Sequence, residues 1–147
     1  MISAIDLLPD KVEHCTVCPN LSPWKRFPND VHGNLRCQAM IVSESHGGRS
    51  VKKGNFWHGA SGDRIRKALS ECNKHLEDGF YLTDIAKGHP ANDRKSKASE
   101  ISNFKRSLER EIQSLKPKCI LVFGETALRY FMDHFTPKRD FGFSSLL

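Results

Sequence analysis

No stretch of this sequence approaches the roughly 18 consecutive apolar residues that a bilayer span requires, which excludes a transmembrane helix. The start, MISAIDLLPDKVEH, places no basic segment ahead of a long apolar one, so it is not expected to act as a signal peptide. No apolar run is followed by GxGxxG, or by GxxxxGK with Ser or Thr, so the backbone cradles of dinucleotide and nucleoside-triphosphate enzymes are missing. Internal repeats and low-complexity tracts are absent too. Cysteine is scarce and odd in number. Cys15, Cys18, Cys37, Cys72 and Cys119 show no framework-like spacing, which argues against a disulfide-stapled secreted fold. Thiols or metal ligands in a cytosolic protein are expected.

What is present fits one domain. The chain has 147 residues, 38% apolar and 27% charged, in the ordinary globular range. Its net charge of +6 favours a polyanionic partner such as nucleic acid, although a mildly basic enzyme of another kind fits the same composition. A leader over residues 1–35, with Cys15-x2-Cys18, Trp24 and the prolines Pro19, Pro23 and Pro28, reads as irregular and held by something other than a sheet.

After it, strand and helix signals alternate. Residues 37–44 (CQAMIVSE) read as a buried strand. Ile65, Ala68, Leu69 and Cys72 make a helical stripe over 61–75. The Asp78-Gly79 turn precedes a second strand at 80–86. Ser99 is a candidate N-cap for a helix whose apolar face is Ile101, Phe104, Leu108, Ile112 and Leu115. CILVF (119–123) is a third strand, and a third helix runs through Leu128, Tyr130 and Phe131. This alternation predicts parallel strands and right-handed crossovers, hence a three-layer α/β/α sandwich with a short parallel sheet. Ligands of such sheets sit beyond the carboxyl ends of the strands, so the loops after residues 44, 84 and 123 are where chemistry is expected.

Those loops resemble the motifs of the uracil-DNA glycosylase superfamily, most closely its iron-sulfur branch, family 4. Ser43-Glu44-Ser45-His46-Gly47 stands where that family has Gly-Glu-Ala-Pro-Gly. Gly54 to Gly62, with Trp57, Ser61 and two outer glycines, matches its Gly-x-Pro-Phe-x-Gly-x-Ser-Gly. Tyr81-Leu82-Thr83-Asp84 with Lys87, Pro90 and Arg94 matches its Tyr-x-Thr-Asn-x-x-Lys-Cys-x-Pro-x-x-x-Arg. Glu100, Leu108, Ile112, Lys116-Pro117 and Leu121 to Ala127 resemble its last helix-strand-helix unit, so the likeness spans roughly residues 12 to 135.

The resemblance implies hydrolysis of the N-glycosidic bond of a deaminated or modified base in single- or double-stranded DNA, by a monomer. It places Glu44 and His46 as catalytic candidates, and Trp57, Asp84, Ser45 and Gly47 around the base. Trp57 would stack on the flipped base; its plain alternative is a core indole. Asp84 stands where the family has Asn. An amide donates to uracil O4 and accepts from N3–H at once, whereas an ionised Asp only accepts and suits an exocyclic amine, as on cytosine. Burial would restore a donor by protonating Asp84; a solvated or helix-capping Asp is the alternative. Glu44 suits activation of water, and His46 acid-base work, unless it is simply an exposed loop histidine. Arg64, Arg66, Lys67, Arg94, Lys95 and Lys97 suit DNA phosphates, or form a solvated face.

The family's [4Fe–4S] cluster needs four cysteines. Cys15 and Cys18 match the leading pair, but Gly88 and Phe104 stand at the other two positions, so no cluster is expected. Zinc on Cys15 and Cys18 with His14 or His89 is an alternative, and so is a free thiol pair. Cys37, Cys72 and Cys119 are expected to be packing residues. Family members continue into a fourth strand and a His-Pro-Ser motif that stabilises charge on the departing base. The sequence to Leu147 contains neither, which points to a fragment or to a shortened relative, catalytically weak or a binding module only.

Overall fold

A computed structural model describes residues 21–23 (main chain only), 33–34, 36, 38–53 and 57–135. At its centre is strand β2 (Ala39–Ser43), with Met40, Ile41 and Val42 at 1% exposure or less. Only a strand covered on both faces reads as such a continuous apolar run. β2 lies between β3 (Tyr81–Asp84) and β5 (Cys119–Val122), parallel to both; Ser43 is level with Asp84, and Val42 with Val122. That register brings the ends of all three strands to one rim.

Helix α2 (Ala60–Ser70) and the single turn α3 (Leu76–Gly79) cover one face, where Ile65, Leu69 and Trp57 pack on Ile41, Leu76 and Leu82. Helices α4 (Ala98–Leu115) and α5 (Glu125–Phe135) cover the other. There Leu108, Ala127, Tyr130 and Phe131 meet Met40, Val42, Tyr81 and Ile85. The expected three-layer α/β/α arrangement is observed.

Several local expectations need correction. Part of the leader is sheet: β1 (Leu21–Pro23) pairs antiparallel with β4 (Gly88–Pro90) in a two-stranded ribbon. Within the loop expected after residue 44, residues 48–53 form helix α1 (Gly48–Lys53). Asp78 and Gly79 close a helical turn instead of making a bare turn. The N-cap of α4 is Lys97, not Ser99, and the Lys97 N–H donates to Glu100 Oε2 at 2.7 Å, as in a capping box. Cys72 and Cys119 are exposed free thiols and not packing residues, because α2 ends at Ser70 and, among the described residues, Cys119 lies on a strand bordered on one side only. Leu128 faces outward at 41% exposure, leaving the inner face of α5 to Tyr130 and Phe131. Cys15, Cys18, Trp24, Cys37, Phe56 and the end of the chain lie outside the described residues.

Candidate active site

Three strand ends deliver the site. Beyond β2, the segment from Ser43 to Gly47 is tied to the loop after β3, because Ile85 N–H donates to Ser43 O and Ala86 N–H to Glu44 O, both at 2.9 Å. Gly48 N–H donates to Asp93 Oδ1 at 2.8 Å, and His89 Nδ1 lies 2.8 Å from His46 O. That carbonyl can only accept, which assigns the His89 proton to Nδ1. The loops surround a cavity of about 350 Å³ lined by Glu44, Ser45, His46, Gly47, Trp57, Asp84 and Phe123 among others. A groove of about 510 Å³ between α4 and α5 is larger but contains none of these groups; chemistry, not size, singles out the strand-end cavity.

At one wall of the cavity, Asp84 is buried at 1% exposure. One carboxylate oxygen accepts from the Ser43 hydroxyl, and the other lies 2.5 Å from His46 Nδ1. His46 is itself 4% exposed, so it is not a solvated loop histidine. Burial pushes the Asp84 carboxyl up, but the charge of His46, hydrogen bonds from His46 and Ser43, and the nearby Lys87 ammonium outweigh it, and the net direction is down. Asp84 is therefore ionised; neither the solvated nor the protonated version describes it. An ionised carboxylate can only accept, so the His46 proton facing it sits on Nδ1.

Behind Asp84 is a buried charge network. Lys87 Nζ donates to Glu111 Oε2 at 2.8 Å and also to Thr83 Oγ1, which itself donates to Glu111 Oε2 at 2.8 Å. Both ionic side chains are at 0% exposure. Burial raises the Glu111 pKa, opposed by Lys87 and by the Thr83 hydrogen bond.

Glu44 reaches the same cavity, and Ser96 N–H donates to its Oε1 at 2.5 Å, which fixes the carboxylate against the loop before α4. Trp57 lines the opposite wall, edge-to-face with Phe123 at 5.2 Å between ring centroids. It is half-buried, a wall residue that also packs on the core.

The basic candidates divide. Arg94 makes two hydrogen bonds to Glu100, at 2.6 and 2.9 Å, and Arg66 holds Glu77 and the Trp57 carbonyl. Arg64, Lys95 and Lys97 are exposed, Lys95 lying 3.5 Å from Glu125. Sequence reasoning missed the Lys87–Glu111 pair, the role of Arg66 and Phe123; of these only Phe123 carried a signal, as the last residue of the expected third strand.

The cluster-ligand positions can be tested directly. Phe104 is 5% exposed and packs on Ala86, and Gly88 pairs with Pro23 in the ribbon. An aromatic ring in apolar contact and a residue without a side chain cannot supply thiolates, so the described part of the site does not fit a four-cysteine cluster. Among the described residues no group of three or more His, Cys, Asp or Glu side chains is placed to hold a metal ion.

Fold and site together define an α/β/α protein with an aromatic-walled, carboxylate-bearing cavity at the carboxyl rim of its sheet. The family model described as "Uracil DNA glycosylase superfamily" matches residues 31–144, and the chain belongs to that superfamily. It is similar to the type-4 uracil-DNA glycosylase of Saccharolobus solfataricus, 25% identical over 138 residues, covering 92% of this chain and 62% of that protein. The Thermotoga maritima type-4 enzyme is 28% identical over 130 residues, with 88% and 66% covered. For the Sulfurisphaera tokodaii enzyme the values are 27% over 128 residues, 86% and 58%. The chain thus spans less than two thirds of the length of these relatives.

Proposed function

We propose that this protein is a uracil-DNA glycosylase-like repair hydrolase that breaks the N-glycosidic bond of a deaminated or modified base in DNA. One observation carries the reading: a single cavity holds Trp57, the Asp84–His46 pair and the Glu44 carboxylate at the rim of the three strands. A base cannot react inside the stack, so it must be extruded into such a cavity, where an aromatic wall replaces its stacking partners.

In the cleavage step, water adds to C1′ and the C1′–N bond breaks, its electron pair leaving with the base. Glu44 takes the proton of the attacking water, and its negative charge favours the cationic sugar that develops. Ser96 holds that carboxylate in place before substrate arrives. His46 lines the cavity with its Nδ1–H given to Asp84 and is the second acid-base candidate; Ser45 and Gly47 complete that wall. Asp84 offers the base acceptors only, which opposes a 4-keto group and suits an exocyclic amine.

Arg64, Lys95 and Lys97 are the candidate phosphate contacts of single- or double-stranded DNA, while Arg94 has a structural partner in Glu100. The protein works as a monomer in the cytoplasm, a compartment that suits the exposed thiols Cys72 and Cys119. It works without the iron-sulfur cluster, consistent with Phe104 and Gly88 at the ligand positions.

The test is alkali-revealed strand cleavage of oligonucleotides containing uracil, hypoxanthine or a cytosine mismatch. Abasic-site formation that disappears in Glu44→Ala supports the hydrolase. Salt-dependent binding without any abasic product would leave a nucleic-acid-binding relative instead.

A further inference from the structure

Trp57 has φ 58°, in the left-handed region where a bulky non-glycine residue is an outlier that its surroundings must enforce. Those surroundings are visible. A Cβ at Gly62 would stand 1.5 Å from the Trp57 carbonyl oxygen and 2.9 Å from the Trp57 Cβ, so only glycine lets the first turn of α2 come this close. One turn further along α2, Arg66 Nη1 donates to that carbonyl at 2.7 Å. Arg66 Nη2 is held 2.5 Å from Glu77 Oε1 of α3. On the following peptide, His58 N–H donates to Ser50 Oγ of α1 at 3.0 Å. With the main chain fixed on these sides, the indole rests on the Ile41, Leu76 and Leu82 cluster and meets Phe123 edge-on in the cavity wall.

We infer that Arg66, steadied by Glu77, is a positioning residue for the base-stacking wall: it acts through the Trp57 carbonyl to hold the indole where a flipped base can stack. Arg66 is not among the described residues that line the cavity, and its contact with that wall is the hydrogen bond to the Trp57 carbonyl. A guanidinium suits the task because its planar fork aims separate N–H groups at a carbonyl and a carboxylate in fixed directions, whereas the donors of a lysine all radiate from one flexible nitrogen. Glu77 is held ionised: burial pushes its carboxyl up, but the Arg66 hydrogen bond and charge bring it below the usual range. The clamp is thus engaged at neutral pH. This inference rests on the stacking role proposed for Trp57.

A double-mutant cycle tests it. The readout is the affinity for a fluorescent single-stranded oligothymidylate carrying one cytosine, the amine-bearing base that Asp84 suits, measured for Arg66→Met, Trp57→Ala and the double variant. Stacking on an aromatic is worth roughly 5- to 150-fold in affinity, so Arg66→Met should weaken binding about tenfold. Arg66→Lys should fall between it and the wild type, and Arg66→Met in the Trp57→Ala background should cost nothing more. Full additivity of the two losses overturns the clamp while leaving the stacking role intact. Unchanged affinity in Trp57→Ala overturns the stacking role, and the clamp with it.

A second measurement needs no substrate. In a Trp24→Phe background Trp57 is the one remaining indole. Arg66→Met should then raise its accessibility to acrylamide while the far-ultraviolet circular dichroism is retained; unaltered quenching counts against the clamp.

Discussion

Asp84 and His46 are a coupled pair: Oδ2 of one lies 2.5 Å from Nδ1 of the other, with both side chains essentially excluded from solvent. Each departs from the family pattern, Asp in place of Asn and His in place of Pro, and the departures meet in space. A buried carboxylate needs a partner to remain ionised, and the imidazole is that partner. On the base-reading role proposed for Asp84, the cavity offers a base a carboxylate that accepts in place of an amide that donates and accepts.

Asp84→Asn should therefore raise excision of uracil from single-stranded DNA by at least about fivefold, the low end of what one well-placed bidentate pair discriminates. The wild type should favour an amine-bearing base over uracil in a panel of otherwise identical oligonucleotides. Equal uracil excision by both proteins would remove the base-reading role from Asp84.

The same carboxyl predicts an acid dependence. Its folded pKa lies below the unfolded value near 3.9, so the folded state binds fewer protons there. The stability it contributes is complete above about pH 4 and is lost as pH falls through the folded value. Urea unfolding between roughly pH 2 and 5 should show a shallower fall in stability for Asp84→Asn than for the wild type. Parallel curves would show that Asp84 is not ionised in the fold.

Lys87 and Glu111 form a pair with neither side chain exposed. Removing one partner leaves a buried charge, so Lys87→Met should cost about 3–5 kcal/mol in chemical denaturation. Lys87→Met combined with Glu111→Leu should recover much of that loss. A single variant as stable as the wild type would show that the pair contributes nothing measurable.

Among the basic residues, Lys95→Ala and Lys97→Ala should each weaken DNA binding for all sequences and reduce the salt slope by about one unit. Arg94→Ala should lower the melting temperature with little change in that slope, because its guanidinium is occupied by Glu100. An altered slope for Arg94 and unaltered slopes for both lysines would reverse the assignment.

Purified protein should contain no stoichiometric iron and no visible charge-transfer absorbance, and chelator should leave its melting temperature unchanged. Cysteine at both Gly88 and Phe104 recreates the four-thiolate set in sequence. Iron bound by the wild type would mean that other residues replace these ligands.

The sequence alone determined the class of fold. Its short apolar runs alternate with helical stripes, and a fully buried parallel strand must read this way whatever surrounds it. It also pointed to the strand ends as the place for a site, since parallel strands bring their carboxyl termini to one rim. Glu44, His46, Trp57 and Asp84, candidates implied by the family resemblance, do share one cavity. Only the tertiary structure decided what those residues are to one another. His46 and Asp84 are 38 positions apart in sequence, and nothing local to either foretells a buried imidazole–carboxylate contact. The same limit hid Glu111, whose carboxylate lies on the apolar side of α4 because Lys87 awaits it there. It also hid Arg66, which looks like any surface cation until the left-handed turn at Trp57 puts a carbonyl within its reach. Apolar periodicity is written along the chain, whereas the partner of a buried charge is fixed only when distant segments pack, and the ionisation of Asp84 follows from that packing.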